Sequence, residues 1–482
     1  MNAPIEETRL AMQRILEQQK DAFWKDGAVS ASTRIDRLKR LNAMVGKNQK
    51  LILDACHQDF GCHSRHQAQM SEVGAVMSGA QEAVKHVAKW MKHEKRKPMF
   101  PLGLMGAKAR VEWVPKGVVG ILSTWNFPVY TALSPLIGIF SAGNRAMLKM
   151  SEVAPAAAEL INHIAAQDFD EAELAVINGG PDVGAAFAGL PLDHLIFTGS
   201  PAIGKHVMRA CADNLTPCTL ELGGKSPVIV SNSYDIEKAA QRIFNGKALN
   251  TGQACLAPDY VFVPADKIEA FVKAANDHIS ALFPRVIDNN DYTSVVNERH
   301  YKRVKRYIDD AKERGGNVRE INPAMEDFSN QPEGIHKIPM TLVIDPGEDF
   351  LCMQEEIFGP VLSVKSYRNI DECISYINAH PRPLGLYYFC NDAREERKVL
   401  DHTISGGVSI NDVMAHPSSD DLPFGGIGNS GMGNYHGKDG FRTFSHPRAV
   451  LKQTGLELMK LSGMLPPYGE KCEKQLNKMT KV

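Results

Sequence analysis

The sequence predicts an α/β protein with mainly parallel β-sheets, and two observations lead to this fold class. From Val118 to about Leu249, short apolar runs alternate with segments of helical periodicity, which is typical of βαβ units. The alternation resumes at Tyr260 and continues to Tyr367, which indicates a second α/β domain. The 482 residues suffice for about three domains of roughly 150 residues each.

The N-terminal region comes first. The first ninety residues predict helices, because apolar residues recur at Leu38, Leu41 and Val45, and again at Leu51, Leu53 and Ala55. The turn-rich residues 97–103 lead into the alternating residues 109–114, which predicts a hairpin.

Farther along, strands are predicted at residues 118–122, 146–150, 174–177, 194–197, 228–230, 260–263, 341–344 and 361–367. An amphipathic helix is predicted at residues 301–312. Its apolar side consists of Val304, Tyr307, Ile308 and Ala311. Its basic residues are expected on a solvated face: Lys302, Arg303, Lys305 and Arg306.

Residues 117–143 carry no charge over a length that could span a bilayer. Asn126, Pro128 and Pro135 interrupt this stretch, so we interpret it as a buried strand, a polar turn and a buried helix. The segment 1–7 lacks the basic and apolar regions of a signal peptide, and the Lys-rich last thirty residues lack a hydrophobic tail. We therefore expect a cytoplasmic protein without a membrane anchor.

The composition argues against a nucleic-acid partner. The chain has 55 basic and 56 acidic residues, a formal charge of −1, whereas phosphate backbones attract a net or clustered positive charge. Its nine cysteines are odd in number and irregularly spaced, which fits a reducing compartment better than a disulfide framework.

Two patterns are interpreted as structural. Five potential zinc ligands lie within eleven residues, but their spacing lacks a second ligand pair, so we expect no metal site at Cys56, His57, Cys62, His63 and His66. Residues 426–431 match Gly-x-Gly-x-x-Gly, yet no strand precedes them and no helix follows. A tight structural loop is the better interpretation.

Three segments carry possible chemistry. Residues 197–204 combine an apolar run, a glycine turn and a helix start, which suits either a pyrophosphate, with Ser200 as an added donor, or a routine βα turn. Cys255 follows a polar turn and is either a nucleophile or a structural thiol. Glu221 stands between two leucines and is either a general base with a raised pKa or a salt-bridged residue at a strand end.

Seven motifs stand in order between about Val111 and Phe444. They are residues 124–128 (Thr-Trp-Asn-Phe-Pro), 149–152 (Lys-Met-Ser-Glu), 197–200 (Phe-Thr-Gly-Ser), 221–225 (Glu-Leu-Gly-Gly-Lys), 252–255 (Gly-Gln-Ala-Cys), 355–360 (Glu-Glu-Ile-Phe-Gly-Pro) and 423–426 (Pro-Phe-Gly-Gly). In this order the motifs resemble those of the aldehyde dehydrogenase superfamily. The short N-terminal region, the residues after Cys255, residues 431–437 and residues 466–468 (Pro-Pro-Tyr) are similar to its class 3 branch and, within it, to bacterial coniferyl aldehyde dehydrogenase-like proteins.

This resemblance implies oxidation of an aldehyde to its acid, the substrate being aromatic, such as coniferyl aldehyde, or medium-chain aliphatic. It makes Cys255 the nucleophile, and the Asn126 amide and the Cys255 N–H the donors to the oxyanion. Glu221 activates the water that hydrolyses the thioester intermediate. The alternatives are a thiol-dependent esterase and a non-catalytic structural protein on the same fold.

The resemblance also implies a nicotinamide cofactor. Lys149 and Glu152 hold the adenosine ribose, and the Glu152 carboxylate disfavours the 2′-phosphate of NADP, so we expect NAD, with NADP possible. Ser200 and its turn bind the pyrophosphate, and Glu356 binds the nicotinamide ribose. The implied cofactor residues are Trp125, Lys149, Glu152, Gly199, Ser200, Gly204, Leu222, Glu356 and Phe358.

The architecture implied by the resemblance has three parts and a tail. A Rossmann-like NAD-binding domain takes residues 1–96 and 116–222, and a catalytic α/β domain takes residues 223–411. Residues 97–115 and 441–451 form an oligomerisation arm, and residues 452–482 form a C-terminal tail. Because such an arm pairs two subunits in this family, we expect a homodimer.

Overall fold

The computed structural model describes residues 5–480, which form two compact units. Residues 5–90 and 115–445 make the larger unit, and residues 91–114 and 446–480 make the smaller one. The signal-peptide expectation concerns residues 1–7, of which the first four lie outside the described part, as do the last two residues of the tail. The division of the larger unit into a cofactor domain and a catalytic domain stays a prediction.

The helices are α1 (Ile5–Asp26), α2 (Ala31–Lys47), α3 (Gln49–Phe60), α4 (Arg65–Ala68), α5 (Ala75–Trp90), α6 (Pro128–Ala142), α7 (Pro155–Asp168), α8 (Pro181–Ala188), α9 (Pro201–Asp213), α10 (Ile236–Ala248), α11 (Ile268–Leu282), α12 (Glu298–Glu313), α13 (Leu351–Gln354), α14 (Ile370–Ala379), α15 (Ala393–His402), α16 (Gly437–Thr443), α17 (Leu458–Leu461) and α18 (Glu470–Met479). A π-helical segment, Gln69–Gly74, lies between α4 and α5. Short 3-10 turns lie at Leu249–Gly252, Ala265–Lys267 and His416–Ser418.

The strands are β1 (Glu94–Arg96), β2 (Lys108–Pro115), β3 (Val118–Leu122), β4 (Arg145–Lys149), β5 (Leu174–Ile177), β6 (His194–Gly199), β7 (Cys218–Leu222), β8 (Ser226–Val230), β9 (Pro258–Pro264), β10 (Asn317–Glu320), β11 (Thr341–Ile344), β12 (Val361–Tyr367), β13 (Gly385–Phe389), β14 (Gly407–Ile410), β15 (Gly431–Met432) and β16 (Ser445–Lys452). Four predicted strands coincide with β3, β5, β11 and β12. The other four differ from the observed strands by one or two residues at an end.

A six-stranded sheet in the larger unit has the order β15-β7-β6-β3-β4-β5. Its strands are parallel except for β15, which is antiparallel to β7 and pairs Gly431 with Glu221. Strands β3 and β4 are buried along their whole length, as expected where helices cover both faces of a parallel sheet. One side packs Met12 of α1 and Phe187 of α8 against Leu195 of β6.

A seven-stranded sheet in the same unit has the order β10-β11-β12-β9-β8-β13-β14. Only its edge strand β10 is antiparallel to its neighbour. Successive residues of β9 point to opposite faces, as strand geometry requires. Val261 packs with Phe244 and Phe271 on one face, whereas Tyr260 packs with Tyr388 on the other. The fold class predicted from the sequence, α/β with parallel sheets, is confirmed.

The smaller unit contains a three-stranded sheet of order β1-β2-β16. The predicted hairpin is present, although its first strand begins at Glu94, before the turn-rich stretch, and pairs Glu94 with Val111. In the segment 441–451 that the resemblance assigns to the arm, Phe441 lies in α16, and β16 begins at Ser445. Glu112 of β2 accepts hydrogen bonds from Arg110 of the same strand at 2.7 Å and from Arg448 at 2.6 Å, and the second bond joins β2 to β16.

The helices predicted for the first ninety residues are present, but the apolar residues cited for the second of them do not all lie on its buried side. Leu38, Leu41 and Val45 are fully buried in α2, but Leu51 of α3 is 50% exposed. Residues two apart are separated by about 200° around a helix, so positions 51, 53 and 55 cannot all share one face. The residues that α3 buries are Ile52, Leu53, Ala55, Cys56 and Phe60.

The uncharged stretch 117–143 has the predicted structure. Strand β3 is followed by a turn and by α6, which begins at Pro128 and is buried over nearly its whole length. Gly143 ends the helix with a left-handed φ of 89°. No helix found within residues 5–480 is long and apolar enough to cross a membrane.

Candidate active site

A strained turn presents Cys255 between α10 and β9. Asn250, Thr251 and Gly252 have φ values of 48°, 54° and 73°, in the left-handed region. Such a conformation costs a non-glycine residue on the order of 1 kcal/mol or more. At Gly252 an added Cβ would lie 2.4 Å from the carbonyl oxygen of Gly359. Both the left-handed φ and this clash therefore require glycine at position 252.

Buried hydrogen bonds hold this turn in place. The Gln253 side chain donates to the carbonyl oxygens of Asn250 at 3.0 Å and Ser294 at 2.9 Å. Its amide oxygen accepts the N–H of Val296 at 3.0 Å. Cys255 therefore follows a rigid segment, as a reacting group held in one geometry requires.

Asn126 lies against the same turn and is 3% exposed. Its Nδ2 donates to the carbonyl oxygen of Gln253 at 3.0 Å, and its own carbonyl accepts from Nδ2 of Asn250 at 2.8 Å. This arrangement uses one N–H of the Asn126 amide. Within residues 5–480, no acceptor is found for the second N–H.

Glu72, which the sequence analysis missed, fixes the segment that carries Asn126. Its Oε2 accepts the N–H groups of Val129 at 3.0 Å and Tyr130 at 2.7 Å, in the first turn of α6. Burial raises the pKa of Glu72 to about 8, although these two bonds oppose the rise. No motif marks Glu72, and its only signal is an acid between Met70 and Val73.

Strand β7 places Glu221 in the sheet between Thr198 of β6 and Gly431 of β15. Glu221 is 2% exposed, and nothing in residues 5–480 hydrogen-bonds to either carboxylate oxygen. Burial raises its pKa well above the ordinary value of 4.5. The salt-bridged alternative is wrong, and a buried, unpaired acid of this kind is typical of a functional group.

The Cys255 thiol, Glu221 and Glu356 interact electrostatically. Burial raises the pKa of the thiol well above 9.0, and the charges of Glu221 and Glu356 raise it further. The N–H groups of Cys255 and Leu256 hydrogen-bond to the sulfur and oppose this rise. Burial also raises the pKa of Glu356 to about 7, against a hydrogen bond from the N–H of Gly224. The structure thus brings three of the predicted site residues together.

Arg303 holds the segment that contains Glu356, and the expectation of a solvated face is wrong for it. Its guanidinium is half-buried and donates to the carbonyl oxygens of Ile357 at 2.8 Å and Phe358 at 3.1 Å. Arginine suits this role, because its fork of N–H donors reaches successive carbonyls. The expectation holds for the exposed Lys302, Lys305 and Arg306.

The turn from β6 to α9 has the shape that the sequence predicts for phosphate binding. Ser200 is exposed and caps α9, its Oγ accepting the N–H of Ile203 at 3.4 Å. At Gly204 an added Cβ would lie 2.7 Å from Leu222 of β7, so glycine allows the helix to approach the sheet closely. Gly199 ends β6 at the same turn. A helix N-terminus that is open to solvent after such a turn fits a pyrophosphate.

Lys149 and Glu152 lie at the carboxyl end of β4. Lys149 is 4% exposed, and its Nζ bonds to Oε2 of Glu152 at 2.7 Å. Only β3 separates β4 from β6 in the sheet, and the carboxyl ends of parallel strands meet at one edge. The ammonium, the carboxylate and the turn amides form a donor and acceptor set that fits a dinucleotide.

Aromatic rings connect the two segments next to Cys255. Trp125, which precedes Asn126, lies edge-on to Phe358 with ring centroids 5.4 Å apart. The Trp125 ring also contacts His300 at 4.5 Å. Phe358 has a left-handed φ of 46°, which turns the chain after Glu356. Trp125 and Phe358, which are both predicted cofactor residues, therefore lie next to the segments that hold Asn126 and Glu356.

A cavity of about 300 Å³ lies beside α6, with Trp90, Tyr130, Tyr435 and His436 among its lining residues. The Tyr130 hydroxyl lies 3.2 Å from Nε2 of His436. Burial lowers the pKa of His436 to about 4, so the neutral ring accepts and Tyr130 donates. Burial, and to a lesser degree the charges of Cys255 and Glu221, raises the pKa of Tyr130 to about 12. Tyr130 thus interacts electrostatically with Cys255 and Glu221, although neither of these residues lines the cavity.

The two patterns interpreted as structural contribute no reacting group to this site, although Gly431 of the second pairs with Glu221 in the sheet. Residues 426–431 form a loop closed by a bridge from Gly428 to Gly431, and the next helix begins only at Gly437, so that interpretation is confirmed. In the segment with Cys56 and His66, Nδ1 of His63 bonds to the carbonyl of Ser64. Over the described part of the chain, no three His, Cys, Asp or Glu side chains are grouped as metal ligands.

Residues 5–450 match the model of the aldehyde dehydrogenase family. The chain is 52% identical, over 99% of each sequence, to the probable coniferyl aldehyde dehydrogenase of Caulobacter vibrioides. It is 49% identical to the coniferyl aldehyde dehydrogenase of a Pseudomonas species, over 94% of this chain and 93% of that one. The substrate-bound structure of Staphylococcus aureus AldH aligns with this chain over the full length of both chains, with a TM-score of 0.89 and 34% identity.

Other relatives differ in the cofactor that their names give. A rat aldehyde dehydrogenase named as dimeric and NADP-preferring is 34% identical over 94% of this chain and 97% of that one. A Mycobacterium tuberculosis aldehyde dehydrogenase complexed with NAD+ has a TM-score of 0.80 and 25% identity, over 92% of this chain and 90% of that one.

Proposed function

Because this chain belongs to the aldehyde dehydrogenase family and therefore oxidises an aldehyde to a carboxylic acid, we propose that coniferyl aldehyde or a closely similar aromatic aldehyde is its substrate. Two relatives that share about half of its residues over nearly the full length are named for coniferyl aldehyde. The cavity beside α6 supports an aromatic substrate, because three aromatic residues, Trp90, Tyr130 and Tyr435, are among those that line it.

We assign the covalent step to Cys255. Its thiol first releases its proton to solvent, the resulting thiolate attacks the aldehyde carbon, and the carbonyl electron pair moves to oxygen. The second N–H of the Asn126 amide and the backbone N–H of Cys255 donate to that oxygen. A bound nicotinamide cofactor would supply the hydride acceptor, and the acyl group is left as a thioester on Cys255.

We assign water activation to Glu221, and the absence of any hydrogen-bond partner for its two carboxylate oxygens in the described residues is the observation that carries the proposal. A carboxylate with a raised pKa is a stronger base than an ordinary one. It takes a proton from water, the hydroxide adds to the thioester carbon, and the C–S bond breaks to give the acid and the free thiol. An esterase would use the same pair without redox chemistry.

A glutamine at position 221 tests these roles. Glu221→Gln removes the base and keeps the shape, so NADH should appear in a burst of one equivalent per active site, followed by a steady rate lower by about 10²–10⁴-fold. Cys255→Ser should lose both phases, and Glu237→Gln, a change on the exposed side of α10, should lose neither. Normal steady turnover in Glu221→Gln would remove Glu221 from this role.

A panel of aldehydes tests the substrate. With NAD, coniferyl aldehyde should give a higher kcat/KM than benzaldehyde or hexanal. A higher value for hexanal would favour medium-chain aliphatic substrates. Ester cleavage in the absence of any NADH from the panel would favour the esterase.

We also propose NAD as the preferred cofactor, because the Glu152 carboxylate, tied to Lys149, would repel a 2′-phosphate on the adenosine ribose. The family includes members named for each cofactor. We further propose a homodimer in the cytoplasm. The nine cysteines, none of them in a disulfide, support a reducing compartment. Sedimentation of the purified protein at twice the mass of one chain tests the dimer.

A further inference from the structure

A short segment near the start of the larger unit contacts both sides of the proposed oxyanion site. Residues 64–74, termed the bridging segment, contain α4 and the π-helical segment. Oε1 of Gln67 accepts the N–H of Asn250 at 2.9 Å, in the turn before the nucleophile. Oε2 of Glu72 accepts two N–H groups in the first turn of α6, just after Asn126. The bridging segment therefore holds the two chain segments that carry the nucleophile and the proposed oxyanion donor.

These hydrogen bonds close into a ring. Nδ2 of Asn250 donates to the backbone carbonyl of Asn126 at 2.8 Å. The chain then runs through Pro128 into α6, whose first N–H groups bond to Glu72, and the bridging segment leads back to Gln67. Only a few residues of chain separate one bond from the next. A shift at any point of this ring therefore changes the position of Asn126 relative to the turn.

Asn250 is the strained member of the ring. It is fully buried and has a left-handed φ of 48°, two residues after the end of α10. A residue other than glycine keeps this conformation only where its surroundings over-determine it. The Gln67 oxygen is one of these contacts, and its loss would leave a buried N–H unpaired, which favours relaxation of the turn. Gln67 therefore helps to set the conformation of the turn that leads to Cys255.

A second set of hydrogen bonds fixes the bridging segment to the same turn. The N–H of Ser64 donates to Oγ1 of Thr293 at 3.1 Å, and the carbonyl of Thr293 accepts the Thr251 hydroxyl at 2.5 Å. The N–H of Ser294 donates to the carbonyl of Cys62 at 2.8 Å. The start of the bridging segment is thus held in place, so Gln67 presents its oxygen from a fixed position.

The π-helical segment explains how two residues five apart reach neighbouring groups. In an α-helix, residues five apart lie about 140° apart around the axis. A π-helix closes i→i+5 hydrogen bonds, so it brings such residues closer to one side, and it occurs frequently at functional sites. Glu72 lies inside the π-helical segment, and Gln67 lies two residues before its start. The local backbone is therefore suited to direct both side chains to the ring.

We propose that Gln67 is a positioning residue for the attack of Cys255 on the aldehyde: through Asn250 it holds the Asn126 amide in line with the oxyanion that forms. This inference rests on the roles proposed for Asn126 and Cys255. A donor stabilises the oxyanion only from the correct place, so a small displacement lowers the rate of the chemical step and leaves binding nearly unchanged. Gln67 acts through Asn250 and not on the substrate itself.

Gln67→Met tests the proposal, because methionine has a similar length but no carbonyl oxygen. The NADH burst, measured with saturating NAD and the aldehyde that turns over fastest, should be slower by about tenfold or more. The KM for NAD should change by less than about threefold, since the residues proposed for the cofactor are not part of the ring. Gln67→Glu keeps an oxygen acceptor and should restore the burst to within about threefold of the natural rate. Gln69→Met makes the same change at an exposed neighbour and should leave the burst unchanged.

A double variant shows whether Gln67 acts through Asn126. Once the Asn126 amide is absent, its alignment no longer matters, so adding Gln67→Met to Asn126→Ala should slow the burst by less than about threefold further. A further loss of about tenfold would show that Gln67 acts elsewhere, and it would overturn the proposal. A natural burst rate in Gln67→Met, a loss that Gln67→Glu does not restore, or a KM for NAD that rises as the burst slows would overturn it as well.

Failure of the proposed function gives a different pattern. A natural burst rate in Asn126→Ala, in which Gln67 is intact, would remove the oxyanion role and with it the premise of the inference. A natural burst rate in Gln67→Met alone would overturn only the inference. If Gln67→Met does not fold, Gln67→Asn is judged by the same outcomes, because it keeps the amide and shortens the side chain by one CH₂ group.

Discussion

Replacing Asn126 with alanine should separate its catalytic role from its structural one. The substitution removes the N–H proposed for the oxyanion and also the bond to the carbonyl of Gln253. That carbonyl keeps a second donor, Nδ2 of Asn250 at 3.2 Å. The bond from Asn250 to the backbone carbonyl of residue 126, at 2.8 Å, survives as well, because it does not involve the side chain. The turn before Cys255 therefore stays held.

The two losses differ in size. One oxyanion donor is worth about 3–4 kcal/mol in the transition state, which corresponds to a fall in kcat of about 10²–10³-fold. The lost bond to Gln253 has a net value of about 1 kcal/mol, and the small cavity costs about as much again. A loss of about 2 kcal/mol lowers the melting temperature of a protein this large by only a few degrees.

The assay is NADH formation from coniferyl aldehyde, followed both in the first turnover and at steady state, with the melting temperature of each variant. Attack by Cys255 precedes hydride transfer, so Asn126→Ala should slow the burst as well as the steady rate, unlike Glu221→Gln. Asn276→Ala, on the exposed side of α11, serves as the control. A burst rate within about threefold of the natural enzyme, in a variant that melts normally, would refute the assignment of Asn126 to the oxyanion.

Three further substitutions test the site. Glu72→Gln keeps the acceptor for the Val129 and Tyr130 N–H groups but cannot ionise. The folded natural protein binds this proton up to about pH 8, whereas an unfolded chain releases it near pH 4.5. The free energy of unfolding of the natural protein should therefore fall by up to about 1.4 kcal/mol per pH unit between those values. Melting curves from pH 5 to 8 should show no such fall for the variant, and the same pH dependence in both proteins would contradict the raised pKa of Glu72. Glu152→Ala removes a negative charge near the 2′ position of the adenosine ribose. It should therefore raise kcat/KM with NADP, relative to kcat/KM with NAD, by ~10-fold or more. An unchanged ratio would show that the ribose does not lie beside Glu152. Tyr130→Phe should lower kcat/KM about tenfold for coniferyl aldehyde but not for benzaldehyde, which has no ring hydroxyl to bond, and equal losses would show that Tyr130 does not contact that hydroxyl.

The sequence predicted the parts of the fold that follow local periodicity. Strands β3, β5, β11 and β12 were found with their observed ends, because each is an apolar run bounded by turns. Strand β7 was not predicted as a strand, since Glu221 interrupts its apolar pattern. The same interruption marked Glu221 as a candidate base. A charge that breaks a strand pattern therefore obscured the strand and at the same time pointed to a candidate functional residue.

Residues that act through distant contacts could not be found in this way. Glu72 reaches the N–H groups of Val129 and Tyr130 across more than fifty residues of sequence, and Arg303 reaches the carbonyls after Glu356 across a similar distance. Helical periodicity placed Arg303 next to Lys302 on a polar face. Only the packing of α12 against the loop of Glu356 shows that this arginine points to carbonyl groups and not to water.

The electrostatics of the site accord with the base proposed at Glu221. A fixed cation beside Glu221 would lower its pKa and weaken it as a base toward water. Two nearby lysines are engaged elsewhere: Lys225 pairs with Asp259, and the buried Lys247 donates to the carbonyl of Pro258 at 2.7 Å, its pKa lowered by burial to about 8. The donors proposed for the oxyanion, the Asn126 amide and the Cys255 N–H, are dipoles. They would stabilise the oxyanion as it forms and leave the raised pKa of Glu221 in place.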